Sequence, residues 1–164
     1  MEDYKNTNWW NYLDEPMKDL VQQSYTLLEG FRIQNSRSNY HDYSFIVFPM
    51  AKAYEGFLKK VFLDLKFINT RQYRGDRFRI GRALNPNLPK RYRWDWVWGK
   101  MVTFCGGEEL PTQMWEVWKK ARNRIFHYFP EHQEFVTLAG ASELVAEITR
   151  IMEKILVGCR LAKT

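Results

Sequence analysis

Apolar residues recur at helical steps through most of the chain, and no alternating run is strong enough to predict a sheet. Five segments carry the pattern. In the first, Met17, Leu20, Val21, Leu27, Leu28 and Phe31 line one face, and Pro16, following Asp14 and Glu15, suits a first helical turn. The polar stretch IQNSRSNYHD reads as a connector. The second segment runs from about Tyr43 to Phe67. Met50, Tyr54, Phe57, Val61 and Leu65 form its spine, and Phe48, Leu58 and Phe62 widen the stripe, as in a helix buried on more than one side. Pro49 near its start either initiates or kinks it.

A stretch punctuated by Gly75, Gly81, Pro86 and Pro89 follows, with room for at most a short helix around Phe78 to Leu84. RWDWVWGKMVTFCGG then supports two readings. Trp94, Trp96 and Trp98 alternate like a strand, whereas Trp94, Trp98, Met101 and Cys105 step like a helix. Helices on either side favour the helix, ended by Gly106 and Gly107. The fourth helix opens at Pro111 and is predicted to reach Tyr128, because the residue before Pro130 disfavours the α region. Met114, Trp118, Ala121 and Ile125 make its stripe. Thr137 is the expected cap of the last helix, whose spine of Leu144, Ile148, Ile151 and Ile155 leads almost to the C-terminus. These segments predict an all-α, compact up-and-down helical bundle, one domain over residues 1–164. An irregular insert at about 69–93 separates its second and third long helices.

Composition adds constraints. A chain of 164 residues, 45% of them hydrophobic, buries a core without covalent staples. Cys105 and Cys159 lie far apart and are expected as reduced, buried thiols rather than as a disulfide. No apolar run is long enough for a membrane span, and MEDYKNTNWWNYLDEP lacks the features of a secretory signal, so a cytoplasmic protein is expected. No carboxylate or Cys/His cluster has metal-ligand spacing, and no metal or cofactor is expected.

Charge changes the picture more. The chain carries +6. Arg71, Arg74, Arg77, Arg79, Arg82, Lys90, Arg91 and Arg93 face a single acid, Asp76, in residues 71–93, a local +7 that leaves −1 for everything else. Tyr73, Phe78 and Tyr92 are interleaved. A solubilising loop would look like this, and so would a track for phosphates and stacked bases; the density of the patch favours the anionic partner.

The stretch ARNRIFHYFP holds the candidate chemistry. On a helix, Asn123 and His127 lie one turn apart and share a face with Lys120, while Arg122 flanks the apolar stripe near Trp118. His127 is expected in the last turn of that helix. The spacing alone is unspecific: thirteen arginines and three histidines give roughly one chance match in four. Surface arginines and a histidine bonded to a free carbonyl would read the same way.

The order of elements adds context. A long helix holding FPMAKAYEGFLKKVF, an irregular insert, a helix ending in R-N-x-x-x-H before a proline and a final amphipathic helix together resemble the HEPN superfamily. Its hallmark is R-x4-6-H with a polar residue after the arginine, matched here by Arg122, Asn123 and His127. The stretch from Pro49 to Phe62 looks most like the HEPN domain of RNase LS-type toxins. In these, a basic residue and a glutamate three positions later join the arginine and histidine; the matching positions are Lys52 and Glu55. Without the resemblance, Lys52, Glu55 and Lys59 are ordinary charge neighbours on a solvated helix face. RNase LS-type toxins carry further domains, which are not expected in these 164 residues. A toxin branch modified on a tyrosine two residues after the histidine is also not matched, since Phe129 stands there.

The resemblance implies metal-independent cleavage of RNA by 2′-OH attack, leaving a 2′,3′-cyclic phosphate and a 5′-hydroxyl. It implies a homodimer that unites two motifs in one cleft, and a toxin or defence ribonuclease with a cognate antitoxin protein. His127 would do general acid/base work, Arg122 would stabilise the phosphate, and Asn123 would orient one of them. Glu55 would hold Arg122 or share the proton transfer, and Lys52 would contact phosphate. The eight insert cations, with Lys120 and Arg124, would hold the RNA backbone. The alternative is a non-catalytic HEPN-like module that binds RNA or a partner protein; a plain helical nucleic-acid binder with an accidental motif comes third.

Overall fold

The computed structural model describes residues 4–33, 40–127, 130 and 135–158. Helices make up its regular structure, with no strand among the described residues. They comprise α1 (Asn8–Tyr12), α2 (Glu15–Ile33), α3 (Ser44–Asp64), α4 (Thr70–Arg74), α5 (Ile80–Ala83), α6 (Trp98–Cys105), α7 (Glu109–Trp118) and α8 (Leu138–Gly158). Short 3₁₀ turns cover Tyr4–Asn6 and Lys90–Asp95, and a π-helical segment, Lys119–Arg124, continues α7. The result is a compact all-α bundle. No helix among the described residues is long and apolar enough to cross a membrane.

The central element is α3, packed along α2 and against α8, with α7 closing on both α3 and α8. Met50, Tyr54, Phe57, Leu58, Val61 and Phe62 are all buried, as expected of a wide stripe. Leu65 is only partly buried, and Phe48, expected to widen the stripe, is exposed on the other side of the helix. Pro49 lies inside the helix, where it removes one donor from the ladder. In the same turn the buried Ser24 hydroxyl of α2 donates to the carbonyl of Ile46 at 2.7 Å. Asp42 receives the amide and hydroxyl of Ser44 and also the amide of Val136, so one carboxylate joins the starts of α3 and of the chain leading into α8. The cap at Thr137 forms as expected, accepting from the Gly140 amide at 3.0 Å. Gly106 ends α6 in the left-handed region (φ 71°), where glycine carries no Cβ penalty.

Five expectations are corrected. The insert, expected to hold at most one short helix, holds two, α4 and α5, and a 3₁₀ turn. Helix α1 precedes the predicted start at Pro16; it buries Trp9 and Trp10, and Glu153 of α8 accepts from Asn8 and from the Trp9 amide. The third long helix begins at Trp98 rather than Trp94, because Trp94 and Trp96 belong to or directly follow the 3₁₀ turn. Cys105 is half-buried rather than buried. The fourth helix is α-helical only to Trp118, then widens into the π-helical segment and stops at Arg124. The predicted end at Tyr128 lies outside the described residues, as do Phe129, Cys159 and the last residues of the chain.

Candidate functional site

The π-helical segment sets the position of Arg122. Widening to i→i+5 bonding re-aims the side chains that follow, and such bulges are common at functional sites. Ala121 is buried against the core, and Arg122 beside it reaches over to α3. There its Nε lies 3.7 Å from Oε2 of Glu55, and Lys59 approaches the same carboxylate at 3.9 Å. The Arg122 guanidinium also sits 5.9 Å from the ring centroid of Phe126, which meets Phe48 of α3 edge-on at 5.2 Å.

Phe48, Lys52, Glu55, Gly56, Lys59 and Arg122 together line a cavity of about 360 Å³. Steps of four, three and four residues put Phe48, Lys52, Glu55 and Lys59 on one face of α3, opposite the stripe that enters the core. At Gly56 a Cβ would approach Met17 Sδ at 2.8 Å, so the small residue lets α2 close on α3 behind the cavity. Three cations face one carboxylate there. The excess positive charge suits an oxyanion, and the half-exposed carboxylate restrains the guanidinium without neutralising the cavity.

The other predicted residues are placed differently. Asn123 and His127 are both exposed and do not line this cavity. Because the helix has ended before it, His127 does not keep the one-turn relation to Asn123 that an uninterrupted α-helix predicts. Lys120 pairs with Glu147 of α8 at 2.9 Å, while Arg124 is exposed. The structure therefore brings together Lys52, Glu55 and Arg122, and leaves Asn123 and His127 outside their cavity. Phe48, the apolar wall of the cavity, carries no signal in the sequence that separates it from core residues; it is 48% exposed.

In the basic insert, Arg71, Arg74, Arg77, Arg79, Lys90 and Arg91 are exposed, while Arg82 and Arg93 are partly covered. Arg79 donates to the carbonyl of Asp76, and Arg93 Nε donates to the carbonyl of Leu88 at 2.7 Å. The interleaved aromatics differ from expectation. Phe78 is a core residue, 1% exposed, and Tyr73 packs partly buried against the core; only Tyr92 stands out, joined by Trp94. The insert is seated on the helix that leads to Arg122: a Cβ at Gly81 of α5 would come within 2.4 Å of the Trp118 ring.

A larger cavity of about 760 Å³ opens between the α6–α7 turn and the end of α8. Three of its four charged groups already have structural partners, and the fourth, Arg150, is exposed. Lys154 bonds Glu109 and Gln113, and Glu153 holds α1. Size alone would favour that cavity, but the convergent charges of the Arg122 cavity make it the better candidate.

Comparison with protein-family models, with curated proteins and with solved structures finds no match to this chain. Function is therefore inferred from the residues themselves and from the resemblance of their motifs.

Proposed function

We propose that this chain is a HEPN-type endoribonuclease acting without metal, as a homodimer, in a toxin or defence role. The observation that carries the reading is the cavity in which Arg122 meets Glu55 and Lys52 across two helices far apart in sequence. In the proposed reaction the ribose 2′-oxygen attacks the adjacent phosphorus, the P–O5′ bond breaks, and the proton lost from the 2′-hydroxyl is balanced by one delivered to O5′. A phosphate seated in the cavity would meet the Arg122 fork and the Lys52 ammonium, which oppose the negative charge gained in the phosphorane. His127 performs the proton transfers, with Asn123 beside the arginine as its orienting residue. Since His127 lies outside the cavity of its own chain, the reading requires a second copy to complete the cleft. Phe48 at the cavity edge and Phe45 one turn before it, both exposed on α3, offer an apolar surface for that contact. An antitoxin would act by covering this cleft or by separating the two copies.

RNA incubated with the purified protein in EDTA is expected to be cut, with 2′,3′-cyclic phosphate and 5′-hydroxyl ends. Intact RNA, or 3′-hydroxyl ends, removes the proposal. The exposure of His127 favours one second reading, a HEPN-like module that binds RNA or a partner protein and does not cut; binding with no cleavage under the same conditions selects it.

Glu55 is assigned as a positioning residue. Glu55→Ala is expected to slow cleavage about 10- to 100-fold by freeing the Arg122 side chain, mostly in kcat, while Glu55→Gln retains part of the rate. Both residues are partly exposed, so the unfolding free energy should move by about 1 kcal/mol or less. A folded Glu55→Ala protein with the full rate would take Glu55 out of the site.

A further inference from the structure

Within the basic insert, Tyr92 and Trp94 are the exposed large hydrophobic side chains, at 46% and 65%. Trp94 is unusual because an indole gains much from burial. The 3₁₀ turn Lys90–Asp95 is held on several sides. Asp95 is buried and accepts from Gln72 Nε2 at 2.7 Å, and Gln72 also completes the capping box of α4 with Asn69. Trp96 Nε1 donates to the carbonyl of Asn85 at 2.8 Å, and the Val97 amide to the carbonyl of Ala83 at 2.9 Å. Arg93 bonds Leu88 and lies 4.1 Å from the centre of the Trp96 ring. Arg93, Asp95, Trp96 and Val97 thus fasten the turn, and Tyr92 and Trp94 are presented outward from a fixed frame rather than from a slack loop.

Guanidinium groups flank both rings. Arg82 of α5 is 5.1 Å from the Trp94 ring centre, and Arg91 is 4.8 Å from that of Tyr92. Each ring thus meets a guanidinium and remains open over much of its surface, with a local +7 around the pair. Rigid aromatic rings beside phosphate-binding cations are the two components of a surface for unpaired nucleic acid. The cations track the backbone and the rings stack bases. A duplex does not fit this surface, because its base faces are already stacked on one another and only its backbone and groove edges are accessible. Neither does a lipid bilayer, since no exposed aliphatic side chain accompanies the two aromatics within the insert to enter the acyl region.

We infer that Tyr92 and Trp94, with Arg82 and Arg91, form a stacking platform that selects single-stranded over double-stranded RNA. This deepens the reading above as far as RNA is the ligand, and it does not require the chain to cut what it holds. The substrate class it specifies is an unpaired segment such as a loop or a single-stranded linker.

The test measures the affinity of the full chain for a 2′-O-methyl oligouridylate and for a 2′-O-methyl duplex of equal length. The modified ribose cannot cyclise, so binding is read without cleavage. The single strand is expected to bind more tightly. Trp94→Ala should weaken that binding by about 5- to 150-fold, the span set by loss of one base–aromatic stack, and Trp94→Phe should recover part of it. Duplex affinity and the salt slope should not change, because no charge has been removed. An unaltered single-strand affinity in a folded Trp94→Ala protein overturns the proposal, and so does an equal loss on single strand and duplex. Photo-crosslinking of bromouridine RNA to the unsubstituted chain gives a second measurement that needs no variant. Adducts at Trp94 or Tyr92 support the platform, and adducts elsewhere only overturn it. Tight binding of phosphatidylserine vesicles that is lost in Trp94→Ala, without RNA binding, would assign the surface to membranes instead. A chain that binds single strands through Trp94 yet leaves ordinary RNA intact removes the nuclease reading and leaves the platform standing.

Discussion

Alanine at Arg122 or at His127 is expected to lower the rate of RNA cleavage by about 100- to 10,000-fold, with the unfolding free energy of each protein changed by about 1 kcal/mol or less. The size follows from the roles assigned. Removing a fixed donor that meets the charge of a transition state costs about 100- to 1,000-fold, and removing a general acid or base costs about as much or more. The stability side follows from position. Arg122 is 41% exposed at its side chain and pairs with a carboxylate that also reaches solvent. His127 is exposed beyond the end of the helix. Neither fills core volume, so a change in rate can be read without a change in fold.

Two further variants sharpen that result. Arg122→Lys keeps the charge and loses the planar fork, so it should recover little of the rate if the guanidinium grips two phosphate oxygens. The double variant should fall little below the worse single variant, because groups that serve one transition state do not contribute independently. Initial rates in EDTA with paired thermal unfolding supply both readouts. Wild-type rates in folded Arg122→Ala and His127→Ala proteins would mean that any cleavage seen comes from elsewhere.

The long helices are legible in the sequence because their burial is periodic. Met50, Tyr54, Phe57 and Val61 repeat at helical steps, and all four lie in the core. Helix α1 is not, since five residues are too short to show a period. Its stability comes from Trp9 and Trp10 packing inward and from Glu153, a cap supplied by the far end of the chain. The switch to i→i+5 bonding after Trp118 is equally hidden. KKARNR is made of residues that an α-helix accepts, so nothing local marks the change, and the displacement of His127 from the face of Asn123 is hidden with it. Exposure of aromatics is the other blind spot. Tyr73, Phe78, Tyr92 and Trp94 each stand beside an arginine, and only the packing of α5 and the 3₁₀ turn sends Phe78 into the core and Trp94 out of it. The approach of Glu55 to Arg122 is suggested in the sequence only by a resemblance; no period or spacing links α3 to a segment so distant.

Neutralising Arg71, Arg74, Arg77 and Arg91 together, each to Gln, is expected to flatten the dependence of RNA affinity on salt. All four are exposed, so they can meet phosphates directly without first giving up burial. For single-stranded RNA each phosphate contact contributes about 0.7 to the slope of log affinity against log salt, so removing all four arginines lowers it by about 2.8. Between 50 and 200 mM salt the unsubstituted protein should therefore lose about 50-fold more affinity than the variant. The four sites leave the framework of the insert in place, because its fastening bonds run through Gln72, Arg93, Asp95 and Trp96. Although Arg91 also flanks Tyr92, Trp94 and its neighbour Arg82 are left in place, so the charge is separated from stacking at Trp94. Loss of the arginines should change the slope, whereas loss of Trp94 should shift the affinity at every salt concentration by the same factor. If the fourfold variant keeps the original slope, these four arginines are a solubilising surface, and RNA contacts must be sought at the Arg122 cavity or around Trp94 and Arg82.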